Sequence, residues 1–136
     1  MLRVVLDTSV LTAALRSRRG ASFVLLRAVR SGCLTPLATP SLFLECEEVL
    51  KRPEQREVSK LSLADVDRVL GVLAVAVHMR WRPQLRDPDD ELVLEAAVNG
   101  RADALVTYNV RDFRDVAPRF GVRIAHPVDL LEELRS

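Results

Sequence analysis

Short apolar segments alternate with helix-like segments along this chain. Leu2–Leu6 is the first apolar segment, and similar runs recur at 34–38, 104–107 and 122–125. Such short apolar runs are typical of parallel strands, which are buried on both faces. Because segments of helical pattern separate most of these runs, the sequence predicts an α/β fold around a mostly parallel sheet.

Capping residues indicate where the intervening helices begin. Predicted helix starts or N-caps are Ser9, Ser22, Pro40, Ser62, Asp87 and Asp129. Ser22 is expected to cap its helix, and Pro53 is expected to end the helix that Pro40 begins. Ser62 and Asp65 have the spacing of a capping box. The segment 75–79 fits either a strand or a continuation of the preceding helix, and periodicity does not decide between them.

Length and composition suit one compact domain spanning residues 1–136. Of the 136 residues, 49% are hydrophobic, and 20 basic side chains nearly balance 19 acidic ones. No global field therefore indicates a nucleic-acid partner. The longest apolar run, 69–77, is too short to span a bilayer, and no signal peptide precedes the first strand. We therefore expect a cytoplasmic protein without a membrane partner.

Acidic and amide side chains follow the predicted strands or begin the predicted helices. Asp7 follows the first strand, Asn109 follows the strand at 104–107, and the run 87–90 contains three aspartates. On the helix after the second strand, spacing alone does not choose between Glu45 and Glu47. Because sites in parallel sheets form beyond the carboxyl ends of the strands, we expect these groups to meet.

A cluster of carboxylates favours a metal site. Singly, each acid is explained as a helix cap or a solvated face, but clustered carboxylates repel one another unless a cation relieves the repulsion. His78 and His126 are the only histidines, and Cys33 and Cys46 lack zinc spacing. Oxygen ligands point to Mg²⁺ or Mn²⁺, and such cations commonly act on phosphates.

Four segments resemble, in order, the motifs of the PIN-domain family, in particular its small prokaryotic toxins of toxin–antitoxin pairs. They are residues 4–11, 39–53, 86–97 and 102–113. The resemblance selects Glu45 and Asp90 as the second and third acids. This chain departs from the family pattern at Asn109, where aspartate is common. The amide of asparagine can ligate a metal ion but supplies no charge. The resemblance also implies a three-layer α/β/α fold whose central sheet has four to five strands.

The resemblance implies a metal-dependent endoribonuclease that hydrolyses RNA. Asp7, Glu45 and Asp90 would hold one or two Mg²⁺ or Mn²⁺ ions, with Asn109 or Asp112 completing the site. A carboxylate, either Glu45 or Asp112, would orient or deprotonate the attacking water. A small antitoxin and a second copy in a homodimer are the implied partners.

Two further groups of residues are expected to support that chemistry. Hydroxyl groups that would hydrogen-bond to the metal-binding carboxylates are those of Thr8, Ser9 and Thr107. Phosphate contacts are expected from the loop beyond Asp7, at Arg16, Arg18 and Arg19. A solvated basic loop explains these arginines equally well.

Two other readings remain. Phosphoaspartate proteins also begin with a strand that ends in Asp, but they need a lysine after a later strand. Here Lys51 and Lys60 are the only lysines, and both lie in the middle of the chain. A non-catalytic binding module with a PIN fold is the stronger alternative, because fold does not fix function. The discriminating observation is whether Asp7, Glu45 and Asp90 converge and bind a cation.

Overall fold

The centre of the protein is a parallel β-sheet. The computed structural model describes residues 2–71, the backbone of 74–75, and residues 87–136. Within these ranges the strands are β1 (Leu2–Leu6), β2 (Leu34–Ala38), β3 (Ala74–Val75), β4 (Ala104–Val106) and β5 (Arg123–Ala125). They lie in the order β3-β2-β1-β4-β5, and every neighbouring pair is parallel. The predicted α/β fold is confirmed.

Helices cover both faces of this sheet. Successive side chains of a strand point to opposite faces. Yet Val4 and Val5 of β1 are both 0% exposed, and so are Ala104, Leu105 and Val106 of β4. The apolar character of these segments therefore reflects burial on two sides, and the three-layer α/β/α architecture is confirmed.

Eight α-helices occur in the described residues. They are α1 (Thr8–Arg16), α2 (Ala21–Arg30), α3 (Pro40–Leu50), α4 (Pro53–Ser59), α5 (Leu63–Leu70), α6 (Pro88–Asn99), α7 (Val110–Phe113) and α8 (Pro127–Arg135). A short 3-10 helix spans Ala117–Phe120. Helix α2 packs on β2 and α8, whereas α6 lies across β1, β2 and β4. None of these helices is both long and apolar enough to cross a membrane.

Several predicted caps are confirmed. The Ser62 hydroxyl accepts a hydrogen bond from the Asp65 backbone N–H, and the Asp65 carboxylate accepts one from the Ser62 N–H, which completes the capping box of α5. Asp87 caps α6, because its Oδ1 accepts from the Asp89 N–H at 2.8 Å. These local hydrogen bonds satisfy donors that the first helical turn leaves free.

Three helix boundaries differ from the prediction. Gly20 precedes α2, while Ser22 lies within its first turn, so the predicted Ser22 cap is wrong. Helix α3 ends at Leu50, close to the predicted end, but Pro53 begins a further helix, α4, that was not predicted, because proline suits the first position of a helix. Helix α8 begins at Pro127 rather than Asp129, with His126 as its cap. Of the ambiguous segment 75–79, Val75 is in β3, and residues 76–79 lie outside the described residues.

Candidate active site at the carboxyl edge of the sheet

Asp7 and Thr107 lie side by side because of the strand register. Leu6 of β1 pairs with Val106 of β4 in parallel, so the next residue of each strand emerges at the same edge. The Thr107 hydroxyl donates a hydrogen bond to Oδ2 of Asp7 at 2.7 Å, and the Ser9 hydroxyl donates to the same oxygen at 3.1 Å. Two hydroxyl groups thus orient this carboxylate, which is only 7% exposed.

A third hydrogen bond extends this arrangement to the start of α7. The backbone N–H of Asn109 donates to the Thr107 hydroxyl oxygen at 2.9 Å. The hydroxyl therefore accepts from one segment and donates to another, and Thr107 is completely buried. Asn109, Thr107 and Asp7 consequently form a continuous chain of polar contacts from β4 to β1.

An open cavity of about 290 Å³ lies at this edge of the sheet. Its acidic lining consists of Asp7, Glu45, Asp87, Asp89 and Asp90. Asn109, Thr8 and Ser9 also line it. Three segments that are distant in sequence therefore bring carboxylates to one opening, where helices α1 and α6 begin. The partial positive charge of a helix N-terminus favours nearby carboxylates and phosphates.

A larger cavity of about 460 Å³ has a different character. It is lined by Leu26, Leu61, Val69, Arg30, Asp65 and Arg68. The Arg68 guanidinium already pairs with the Asp65 carboxylate at 2.7 Å. With a single, paired carboxylate, this described lining lacks the acidic cluster on which the expected chemistry depends.

The Asp90 carboxyl group has the most perturbed acidity in the cavity. Burial raises its pKa most, and repulsion from Asp87, Asp112 and Asp7 raises it further, to about 7. A hydrogen bond with the Asp112 carboxyl also contributes. Asp90 and Asp112 therefore form a pair of neighbouring carboxyl groups, although they lie on different helices.

Glu45 forms the second acidic pair. Burial raises the pKa of Glu45, as do the Asp89 and Glu48 carboxylates, whereas the Arg52 guanidinium lowers it. The Glu45 side chain is also hydrogen-bonded to Asp89. Asp89 therefore lines the cavity with Asp90, although the resemblance had selected only Asp90 from the run 87–90 as a metal ligand.

Thr8, which was expected to support the metal-binding carboxylates, contacts a cysteine on α3. The Thr8 hydroxyl lies 3.4 Å from Sγ of Cys46 on α3, so this contact joins α1 to the helix that carries Glu45. Burial raises the pKa of Cys46 to about 11, so the thiol stays neutral near pH 7. A neutral, buried thiol supplies neither a metal ligand nor a nucleophile.

The three arginines of the basic loop are exposed, but only one is tied to the cavity. Nε of Arg16 donates to the Gln55 side-chain oxygen at 3.2 Å, and Gln55 lines the cavity. Arg18 and Arg19 lie in the turn between α1 and α2. Gln55 itself was not predicted, because nothing in the sequence near residue 55 connects α4 to Asp7.

The donor groups fit a hard divalent cation. Carboxylate oxygens line a common cavity, where burial first and neighbouring carboxylates second raise the pKa of Glu45 and of Asp90. Among the described residues, no three His, Cys, Asp or Glu side chains are already grouped to hold a metal ion. Instead, Asp112 repels Asp90 and Asp89 repels Glu45, and a cation bound in the cavity would relieve that repulsion.

Comparison with known proteins identifies the family. The family model of the PIN domain matches residues 3–111, which include all of β1 except Leu2, the acidic residues of the cavity and Asn109. No match was found among curated proteins. PIN domains are typically metal-dependent nucleases that bind divalent metal through acidic residues. With most of its length matched and its acids gathered at the carboxyl edge of the sheet, the chain belongs to the PIN-domain family.

Proposed function

We propose that this protein is a metal-dependent endoribonuclease and the toxin component of a toxin–antitoxin pair. The observation that carries the proposal is the acidic cavity, in which burial and, after it, neighbouring carboxylates raise the pKa of Asp90 to about 7. Neighbouring carboxyl groups repel one another and lower the stability of the fold. Binding of a divalent cation would relieve that repulsion, and a nuclease requires such a cation for catalysis.

Asp7, Glu45 and Asp90 would hold one or two Mg²⁺ or Mn²⁺ ions, with Asn109 or Asp112 completing the site. A bound divalent cation stabilises charge on the phosphodiester and lowers the pKa of a coordinated water. Thr107 and Ser9 keep the Asp7 carboxylate in one orientation. Glu45 or Asp112 would orient the attacking water and accept its proton, because a deprotonated carboxylate is a general base and the pKa of Glu45 is raised above its ordinary value.

The choice of RNA and of a toxin role rests on the resemblance of the four motifs. The exposed Arg16 beside the cavity, with Arg18 and Arg19 in the same loop, supports binding of a polyanion. A protein partner is supported by exposed apolar side chains on three consecutive helices, namely Leu44, Val58 and Leu63. We propose an antitoxin and a second copy of this chain as those partners.

The test is cleavage of labelled structured and unstructured RNAs in Mg²⁺, Mn²⁺ or EDTA, with single-stranded DNA as a further substrate. Asp90→Asn removes a carboxylate of the cavity, and Asp115→Asn removes an exposed one elsewhere as the matched control. We expect metal-dependent RNA cleavage by the wild type and Asp115→Asn, and at least a 100-fold loss in Asp90→Asn.

Equal cleavage by Asp90→Asn and the wild type would contradict the assigned site. A folded wild type that binds Mn²⁺ but cuts no RNA would favour the non-catalytic PIN-fold module. Co-expression in cells tests the toxin role separately, because growth arrest should require Asp90 and be relieved by the antitoxin.

A further inference from the structure

An aromatic residue stands in the chain between two residues of the acidic site and has no part in the proposed metal site. Tyr108 stands between Thr107, which hydrogen-bonds to Asp7, and Asn109, which lines the cavity. Consecutive Cα atoms are about 3.8 Å apart, so the backbone of Tyr108 is one residue from both. The Tyr108 side chain is 38% exposed, which leaves part of the ring available to a ligand.

Contacts at two points hold the Tyr108 ring in place. Its hydroxyl group is hydrogen-bonded to the buried Ser22 hydroxyl on α2. Its ring meets the His126 imidazole edge to face, with centroids 5.0 Å apart and an interplanar angle of 87°. His126 is fixed in turn, because its Nδ1 accepts a hydrogen bond from the Val128 N–H at the start of α8. An exposed aromatic ring that is already ordered loses little conformational entropy when it stacks on a ligand.

Positive charge lies close in sequence to Ser22, the hydrogen-bond partner of Tyr108. Ser22, the partner of the Tyr108 hydroxyl, comes three residues after Arg19. Arg18 and Arg19 are both exposed in the turn that precedes α2. The segment that holds the Tyr108 hydroxyl therefore also carries two exposed guanidinium groups, which suit contacts with phosphates.

We propose that Tyr108, positioned by Ser22 and His126, is a stacking site for one unpaired nucleobase of single-stranded RNA. This inference rests on the proposed nuclease function. It specifies the substrate as an RNA strand in which the base next to the scissile phosphate is unpaired. Bases in a duplex are stacked on each other, so only single strands or loops present a free face. Each base stacked on an aromatic side chain contributes about 1–3 kcal/mol, or roughly 5- to 150-fold in affinity.

The binding experiment uses Asp90→Asn, so that RNA is not consumed, and a fluorescein-labelled single-stranded RNA measured by anisotropy. In this background we expect Tyr108→Leu to weaken binding at least 5-fold and Tyr108→Phe to weaken it less than 3-fold, because phenylalanine keeps the ring. Phe120→Leu is the matched control, since Phe120 is similarly exposed at 40% but precedes β5, at the opposite edge of the sheet. His126→Asn keeps a capping acceptor and tests the supporting ring.

A spectroscopic readout reports the ring itself. Tyr108 is the only tyrosine in the chain, so 3-fluorotyrosine labelling gives one ¹⁹F resonance from this site. We expect single-stranded RNA to shift that resonance, and the same RNA annealed to its complement to leave it in place. Replacing the base next to the cleaved bond by an abasic site should weaken binding to the tyrosine-containing protein but not to Tyr108→Leu.

The outcomes separate this inference from the proposed function. The stacking site would be overturned if folded Tyr108→Leu bound RNA as well as its parent, or if RNA left the ¹⁹F resonance unmoved. If the wild type still cleaved RNA, the proposed nuclease function would be unaffected. Equal loss of binding in Tyr108→Leu and Phe120→Leu would also overturn the stacking site, because the loss would then not be specific to Tyr108. Absence of both binding and cleavage in the wild type would overturn the proposed function together with this inference.

Discussion

Asp7 owes its orientation to residues that are far from it in sequence. Its Oδ2 accepts hydrogen bonds from Ser9, two residues away, and from Thr107, which is one hundred residues away. The Thr107 hydroxyl accepts in turn from the Asn109 backbone. Because a hydrogen bond to a charged group typically contributes about 1.5–3 kcal/mol, Thr107 is central to the order of this site.

We expect Thr107→Val to lower RNA cleavage roughly 10- to 100-fold, because valine fills the space but cannot hold the Asp7 carboxylate. The same change should raise the Mn²⁺ concentration needed for half-maximal activity. Cleavage assays with a Mn²⁺ titration measure both. Ser9→Ala is the control, with a smaller loss expected because its hydrogen bond to Asp7 is longer, at 3.1 Å. Unchanged metal dependence in Thr107→Val would contradict the positioning role.

The raised pKa of Asp90 makes stability depend on pH. In the unfolded chain its pKa is close to 4, whereas burial and neighbouring carboxylates raise the pKa in the folded protein to about 7. Between these values the folded state binds a proton that the unfolded state lacks. The contribution of protonated Asp90 to the stability of the folded state is therefore fully present below pH 4 and is lost as the pH rises through about 7.

Asp90→Asn should consequently stabilise the metal-free protein at pH 8 and confer no gain at pH 4. After allowance for solvent screening of a partly exposed side chain, the gain at pH 8 is roughly 1 kcal/mol, or about 3–5 °C in Tm. Thermal unfolding in EDTA across this pH range measures it. A constant difference between variant and wild type at all pH values would contradict the assigned cause.

Among the elements, the short helix α7 depends on one buried side chain. Phe113 ends this helix, is 0% exposed, and belongs to the hydrophobic core. Asn109 precedes α7 and Asp112 lies within it, so burial of Phe113 fixes two residues that belong to the site or adjoin it. The sequence pattern Arg-Asp-Phe therefore joins an exposed acid to a core anchor.

We expect Phe113→Ala to cost about 3–5 kcal/mol of folding free energy, because it leaves a cavity in the core. Phe113→Leu should cost less than half as much and retain cleavage, since leucine refills most of the volume. Urea unfolding of the two variants gives the comparison. A loss of about 1 kcal/mol or less in Phe113→Ala would show that α7 is not anchored in this way.

For the whole molecule, metal binding should be linked to folding. A cation held by carboxylates from β1, α3 and α6 binds only the folded chain, so it stabilises that state by about 2.7 kcal/mol at one hundred times its Kd. Protons compete for the same oxygens, and the effect should therefore weaken as pH falls from 8 to 5.

Thermal unfolding with increasing Mn²⁺ tests this linkage directly. The Tm of the wild type and of Asp115→Asn should rise with Mn²⁺, and that of Asp90→Asn should rise much less. An equal rise in all three proteins would place the cation outside the acidic cavity.

The sequence by itself determined the fold class and the strands that carry the site. Segments as apolar as Leu2–Leu6 and Ala104–Val106 are typical of strands covered on both faces, so an α/β fold around a parallel sheet followed from composition and order, while the three-layer architecture was implied by the resemblance. Local chemistry also predicted the Asp87 cap and the Ser62 capping box, since these hydrogen bonds form within a few residues.

Only the tertiary structure decided which side chains meet. The register of β1 against β4 places Thr107 on Asp7, and helix packing joins Glu45 to Asp89 and Gln55 to Arg16. Ser22 was expected to cap α2, but its hydroxyl bonds to Tyr108, eighty-six residues away. Sequence spacing records positions along one chain, whereas register and packing set distances between segments, and the chemistry of this site depends on those distances.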